Sequence, residues 1–250
     1  MLVHTEGIVI RTRDYGEAGK IVTFFTPDHG KLAAVARGAK KPKSRLSAVT
    51  QPFTLGRYLF FLGSGLATLS QGEITNSHHS LRADLLLAAY SAYLVELLDR
   101  MTVEKEPAPS LFRLLSLTLE YLEKGVNPEI LSRIFELRVL ASAGLKPVLD
   151  RCTVCSSKKY PFHFSVRQGG FICIHCLDQD PNYLSLDPAT ARILQLLARI
   201  DPARLGEVKV KSKTERQLEQ ALRLFIDEYA DIPMKSRSFL QQLRRDGFTH

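Results

Sequence analysis

The four cysteines of the chain form two pairs with one spacing, Cys152-Thr153-Val154-Cys155 and Cys173-Ile174-His175-Cys176, with 17 residues between the pairs. A two-residue gap turns both sulfurs of a pair toward one point, and two such knuckles complete a tetrahedral shell of the kind that holds Zn²⁺. With every position filled by sulfur no site is left for water or substrate. One such ion per chain would therefore staple a fold and catalyse nothing. Two disulfides, redox-active pairs, or iron in a rubredoxin-like shell are the other readings of the cysteines themselves. His175 could coordinate in place of a cysteine, although four thiolates already satisfy the metal.

The second grouping is electrostatic. Arg37-Gly38-Ala39-Lys40-Lys41-Pro42-Lys43-Ser44-Arg45 puts five cations into nine residues, with Gly and Pro opposing regular structure. Like charges this dense repel one another, so the segment costs free energy unless something anionic engages it. A phosphate backbone meets that need, with steep salt dependence and no sequence readout; a solvated linker is the plainer reading. Arg11 and Arg13 alternate along the first β-like run and should point away from the core. Phe24, Phe25, Tyr58, Phe60 and Phe61 are available for base stacking, but all lie in β-like runs and most should be core. A further basic set, Lys209, Lys211, Lys213, Lys235, Arg237, Arg244 and Arg245, reads first as solvated surface. Gly16-Glu17-Ala18-Gly19-Lys20-Ile21 has the wrong glycine spacing for a phosphate loop and no Ser/Thr after the lysine. No HExxH pair, GxSxG elbow or carboxylate constellation appears, so the chain is expected not to be an enzyme.

These residues need elements to position them. Short β-like runs at Gly7 to Arg13, Lys20 to Thr26, Lys31 to Arg37, Thr54 to Leu62 and Leu66 to Ile74 predict five strands, which suit a small closed barrel such as an OB-fold. In the first run Ile8, Ile10 and Thr12 should share one face, with Val9, Arg11 and Arg13 on the other. After Ser80 the pattern turns helical. Leu81 to Met101 is apolar nearly all round and predicts a buried helix; Leu111 to Lys124 and Pro128 to Ala143 follow, ended by Gly125 and Gly144. Asp187 and Pro188 open another helix, and Thr214 with Gln217 makes a capping box for the next, whose Leu218, Leu222, Phe225, Ile226 and Tyr229 form one stripe. The expected architecture is α+β and multidomain: a five-stranded OB-fold barrel over 1–79, then an α-helical domain over 80–250 with a Cys₄ zinc module at 150–182 inserted between helices.

A net charge of +8 over 250 residues speaks for a polyanionic partner. Residues 1–80 carry ten Lys/Arg against five Asp/Glu and residues 151–250 carry sixteen against eleven, so the surplus lies at the two ends. No apolar run approaches the roughly 18 residues that span a bilayer, and the start has no basic and apolar leader, so a reducing cytoplasm and no membrane are expected.

Together, Glu6-Gly7-Ile8-Val9-Ile10, the Asp14-Tyr15-Gly16-Glu17 turn, Thr26 to Lys31, the Arg37 to Arg45 segment and the closing Lys235-Ser236-Arg237-Ser238-Phe239-Leu240 resemble the RecO family of bacterial DNA repair proteins. The resemblance spans the whole chain, and the order of barrel, helical domain and inserted Cys₄ module is similar too. It implies a recombination mediator of the RecF pathway, associated with the bacterial nucleoid. Such a protein binds single- and double-stranded DNA, anneals complementary strands and works with RecR to load RecA onto strands coated by single-strand-binding protein. It also implies Zn²⁺ at Cys152, Cys155, Cys173 and Cys176, and DNA contacts at Arg37, Lys40, Lys41, Lys43 and Arg45, with Arg11 and Arg13 as weaker members. The acidic C-terminal tail of single-strand-binding protein is the implied peptide partner. The alternative is a zinc-containing protein–protein adaptor without intrinsic DNA activity, whose charge serves solubility and on-rate. A metal-dependent nuclease would need an open metal position, and an RNA-binding zinc-ribbon factor would use the same phosphate contacts.

Overall fold

The computed structural model of the chain describes residues 1–201 and 210–246. Five strands, β1 (Leu2–Tyr15), β2 (Gly19–Thr26), β3 (Gly30–Ala36), β4 (Leu55–Phe61) and β5 (Ala67–Asn76), close into a barrel in the order β1-β2-β3-β5-β4. A short helix α1 (Arg45–Val49) sits between β3 and β4. Every pairing is antiparallel except that of β3 with β5, where Ala34 faces Ala67 and Val35 faces Thr68. This is an OB-fold, and alternation builds it: Leu32, Ala34 and Ala36 point inward from β3, Ala67 and Leu69 from β5, and Tyr58 and Phe60 from β4. Phe24, Tyr58 and Phe60 fill the lumen, the Phe24 ring lying 4.5 Å from that of Tyr58 and 5.1 Å from that of Phe60. The buried Tyr58 hydroxyl donates within reach of two carbonyls, Val49 O at 3.1 Å and Thr54 O at 3.2 Å, so its polar end is satisfied inside the barrel.

One expected alternation fails. A β-bulge between Val9 and Arg11 shifts the register of β1 against β2, so Val9 joins the lumen core while Arg11 and Arg13 point outward. The two arginines keep the direction that period two predicts, but Val9 does not share their face.

Helices α2 (His79–Ala83), α3 (Leu85–Met101), α4 (Pro109–Glu123) and α5 (Pro128–Ser142) follow. The helix read from Leu81 to Met101 is two, because Asp84 leaves the helical conformation (φ −101°, ψ 124°) and its carboxylate accepts the N–H of Leu87 to cap α3. Then come β6 (Phe162–Ser165), β7 (Gly170–Cys173), a 3₁₀ turn (Ile174–Gln179), α6 (Pro188–Leu197), α7 (Ser212–Ala230) and α8 (Lys235–Arg245). The β6–β7 hairpin and the cysteines thus lie between α5 and α6. The expected capping box does not form: α7 starts at Ser212, and the Gln217 side-chain oxygen accepts instead from Asp187 N and the Thr190 hydroxyl, tying α7 to the start of α6. Among the described residues no helix is long and apolar enough to cross a membrane.

The chain separates into two compact units, Met1–Gly125 with Lys235–His250, and Val126–Met234. In the first, α8 returns to α3: Ser236 N donates to Glu96 Oε2 at 2.8 Å, and the Arg244 guanidinium donates to the Tyr90 hydroxyl at 3.1 Å. Asn76 at the end of β5 donates to Glu123 at 3.3 Å, His78 Nδ1 lies 2.7 Å from the same carboxylate, and the Ser80 hydroxyl donates to it as well. Burial works against the charge on Glu123, but hydrogen bonds from Ser80, His78 and Asn76 outweigh it and hold the carboxyl below its usual value. A depressed carboxyl stabilises the fold above its unfolded pKa, and that gain is lost as pH falls through the folded value. Glu123→Gln should therefore be less stable than the parent at pH 7. The gap in urea midpoint should close as pH is taken from about 5 toward about 3, near and below the reference carboxyl pKa; a gap independent of pH would refute this assignment.

Candidate nucleic-acid interface and metal centre

The basic segment is anchored, not a free loop. The Ala39 side chain is buried in the lumen core, Lys40 N donates to Ala18 O at 2.9 Å in the β1–β2 turn, and Lys41 N and Ser44 N close successive turns onto Gly38 O and Lys41 O. Ser44 then caps α1, its hydroxyl accepting from Leu46 N at 3.3 Å. With its backbone held this way, the segment turns its cations outward: Arg37, Lys40, Lys41, Lys43 and Arg45 are all exposed, as are Arg11 and Arg13. Arg37, Lys41, Lys43 and Arg45 face no carboxylate among the described residues, whereas Lys40 Nζ meets Asp14 at 2.6 Å and Arg11 meets Asp99 of α3 at 3.4 Å. The hydrogen bond from Lys40 keeps the Asp14 carboxyl below its usual value, with Lys20 across the strand pair assisting. The Asp14 side chain is largely exposed, so this pairing is easily exchanged for another anion.

Two groups at this end of the barrel were not singled out from sequence. Lys20 pairs with Asp14 across β1 and β2, and Tyr15 ends β1 with its side chain 53% exposed. The signal was the Arg11, Arg13, Tyr15 alternation continuing into what reads as a turn. Of the five strand aromatics, Phe24, Tyr58 and Phe60 occupy the lumen; Phe25 is also fully buried, and only Phe61 is exposed. Of the second basic set, Lys213 pairs with Asp187 at 2.8 Å and the Arg244 guanidinium packs on the Tyr90 ring, while Lys209 lies outside the described residues.

The cysteines do come together. All four Sγ atoms lie within 4.8 Å of one another, with Cys155 to Cys173 at 3.6 Å and Cys173 to Cys176 at 3.7 Å. A tetrahedron of sulfurs about 2.3 Å from a central ion has edges of about 3.8 Å, so the cluster fits a tetrahedral thiolate-bound metal. No disulfide joins them, since a bonded pair would stand about 2.05 Å apart. The first knuckle is shaped by its backbone: Ser156 adopts φ +59° and its N–H closes on Cys152 O at 3.0 Å, while Cys173 N points at Cys152 Sγ at 3.4 Å. Burial opposes the Cys152 thiolate, yet the N–H groups of Cys155, Cys173 and Val154 overcome it and bring its pKa to about 6. Burial and then the neighbouring sulfurs push Cys176 to about 12, because four sulfurs this close ionise together only around a shared cation. His175 is exposed and outside the sulfur cluster.

The module is tied into its own unit by aromatics. Phe162 stacks on Phe171 at 5.2 Å, Phe164 meets Phe171 and Phe225 edge-on at 6.5 and 6.0 Å, and the Tyr229 hydroxyl donates to Val166 O at 2.9 Å. Of the stripe on α7 read from sequence, Phe225 and Tyr229 make these contacts, and Leu218, Leu222 and Ile226 are buried.

Comparison with known proteins matches residues 1–78 to the family described as Recombination protein O N terminal and residues 82–238 to Recombination protein O C terminal. Proteins named DNA repair protein RecO are similar over nearly the full length. That of Bacillus pumilus is 48% identical over 97% of this chain and 95% of its own, and that of Bacillus subtilis is 47% identical with the same coverage. That of Halalkalibacterium halodurans is 44% identical over 99% of this chain and 98% of its own.

Proposed function

Because the chain belongs to the RecO family of DNA repair proteins, we propose that it is a recombination mediator that binds single- and double-stranded DNA and anneals complementary strands. In this reading it cooperates with RecR in loading RecA onto strands coated by single-strand-binding protein, whose acidic tail is a further partner, and it works in the cytoplasm at the nucleoid. The single observation that supports it best is the anchored segment at one end of the barrel. Its Arg37, Lys41, Lys43 and Arg45 are exposed and face no carboxylate among the described residues. Cations held on a fixed backbone can screen two phosphate chains at once while the bases stay free to pair, so annealing is accelerated with no bond made or broken. Arg13 extends this surface along β1, and Arg11 contributes less because Asp99 already engages it.

Cys152, Cys155, Cys173 and Cys176 would hold one Zn²⁺, which supplies cross-linking of the two knuckles and, with four sulfur ligands, no Lewis-acid position.

The test is annealing of complementary fluorescent oligonucleotides and binding of each strand across a salt series, with metal content measured on the same preparation. Expected are ATP-independent acceleration of annealing, affinity that falls linearly in log–log form with salt, and one zinc per chain. Absence of binding at low salt would reject the mediator reading and leave a zinc-containing adaptor.

A further inference from the structure

The exposed aromatics at the basic end of the barrel sit on either side of Arg37, and the sheet register places them. β1 and β2 pair Tyr15 with Gly19, and β2 and β3 pair Lys20 with Ala36, so Arg37 follows one residue beyond that pair. Gly19 has no side chain, and a Cβ there would stand 2.8 Å from Tyr15 O, 3.6 Å from Ala36 O and 3.7 Å from Tyr15 Cδ1, so the Tyr15 ring lies beside the open face of the glycine. On the other side, Phe61 of β4 pairs with Thr68 of β5, which pairs with Val35 of β3, one pleat from Arg37. Lumen-facing neighbours at Phe60, Ala67 and Ala36 set Phe61, Thr68 and Arg37 on the outer surface. Tyr15 and Phe61 are each 53% exposed, while Val35 and Thr68 between them are half-buried.

Along the curved barrel wall this surface crosses four interstrand steps of about 4.8 Å each, from β1 through β3 to β4. It leads from the β1–β2 turn to the start of the β4–β5 connection, the two loops through which OB-folds take oligonucleotides. We infer that Tyr15 and Phe61 are base-stacking residues that hold an unpaired strand across β3, with Arg37 between them on its phosphates. The chemistry divides the labour. Cations attract any phosphate backbone, whereas a ring can stack only on a base that is already unstacked, so these two side chains select single strands over duplex without reading sequence. The inference rests on the DNA-binding reading above and adds to it the residues that distinguish the two forms of DNA.

The experiment measures equilibrium binding of a fluorescent oligothymidylate and of a blunt duplex of equal length by the full chain and its variants, at several salt concentrations. Tyr15→Ala and Phe61→Ala should each weaken single-strand binding about tenfold or more, leave duplex affinity within about twofold and leave the salt slope unchanged, since no charge is lost. Tyr15→Phe and Phe61→Tyr should bind as the parent does. The chain has no tryptophan, so Tyr15→Trp and Phe61→Trp supply a readout that needs no loss of affinity: each fluorophore should be quenched by the single strand and not by duplex. Alanine variants with unchanged single-strand affinity, or with equal losses on both DNAs, would overturn the inference, as would tryptophans blind to the single strand. A parent chain that binds neither DNA would overturn the DNA-binding reading and this one together; a parent that binds both, with unaffected variants, overturns only this one.

Discussion

Cys173→Ser should release the metal and unfold the knuckles while leaving the α5–α7 helices in place. The substitution is nearly isosteric, so its effect isolates the ligand: Cys173 stands 3.6 Å from Cys155 and 3.7 Å from Cys176, central to the sulfur cluster. The N–H of Cys173 also supports Cys152 Sγ, whose pKa near 6 makes it the readiest thiolate. A structural zinc is worth about 10–16 kcal/mol in isolated finger peptides. Here the loss should be smaller but still at least about 4 kcal/mol, because the Phe162, Phe164, Phe171 and Phe225 contacts hold the hairpin onto α7 independently of the metal. Zinc per chain should fall from one toward none. Amide exchange should accelerate at 152–160 and 174–180 while α7 keeps its protection, and chelation of the parent should reproduce the pattern. Exchange unaltered by the substitution, with no metal in the parent, would sink the assignment; iron in place of zinc would retain the staple and change its ion.

The cysteine cluster was legible because its signal is local: two CxxC pairs specify their geometry within four residues each, and the 17-residue spacing then needs only a hairpin to close it. The strands were legible for the same reason, since alternation reports which side chains face a core. What escaped the sequence depends on contacts between distant segments. The bulge between Val9 and Arg11 puts Val9 into the lumen with Phe24, Tyr58 and Phe60, a packing between distant strands that the residue types along β1 do not report. The break at Asp84 turns on whether its carboxylate caps a new helix or decorates an old one, and residue type allows both. Thr214 and Gln217 have a capping box's spacing, yet Gln217 finds better partners at Asp187 and Thr190. Gly38 and Pro42 oppose regular structure in the basic segment, and nothing local shows that Ala39 would enter the core and Lys40 would bond the β1–β2 turn. The same blindness applies to the aromatics, which composition ranks alike and the barrel sorts into lumen and surface.

Reversing charge on the basic segment should nearly abolish DNA binding without harming the fold, provided the right cations are chosen. Lys41, Lys43 and Arg45 face no carboxylate among the described residues, so Lys41→Glu, Lys43→Glu and Arg45→Glu combined removes three phosphate partners and breaks no internal pair. Single-strand affinity at about 0.1 M salt should drop about a hundredfold. The log–log salt slope should become shallower by about 2, the counterion release of three phosphates at about 0.7 each. Duplex affinity should fall alongside, since phosphate contacts do not distinguish the two forms, and the thermal midpoint should stay close to the parent's because all three side chains are solvated. Lys40 is a different case. Its ammonium lies 2.6 Å from Asp14 and its backbone N–H holds Ala18 O, so Lys40→Glu would set two carboxylates together and loosen the turn that carries Tyr15. Lys40→Gln avoids that repulsion and should weaken binding only a few-fold, because the native lysine must leave Asp14 before it can meet a phosphate. Asp14→Asn frees that cation and removes an opposing charge, so it should shift affinity in the other direction. If the triple reversal left affinity and slope unchanged, the phosphate track would have to lie elsewhere on the chain.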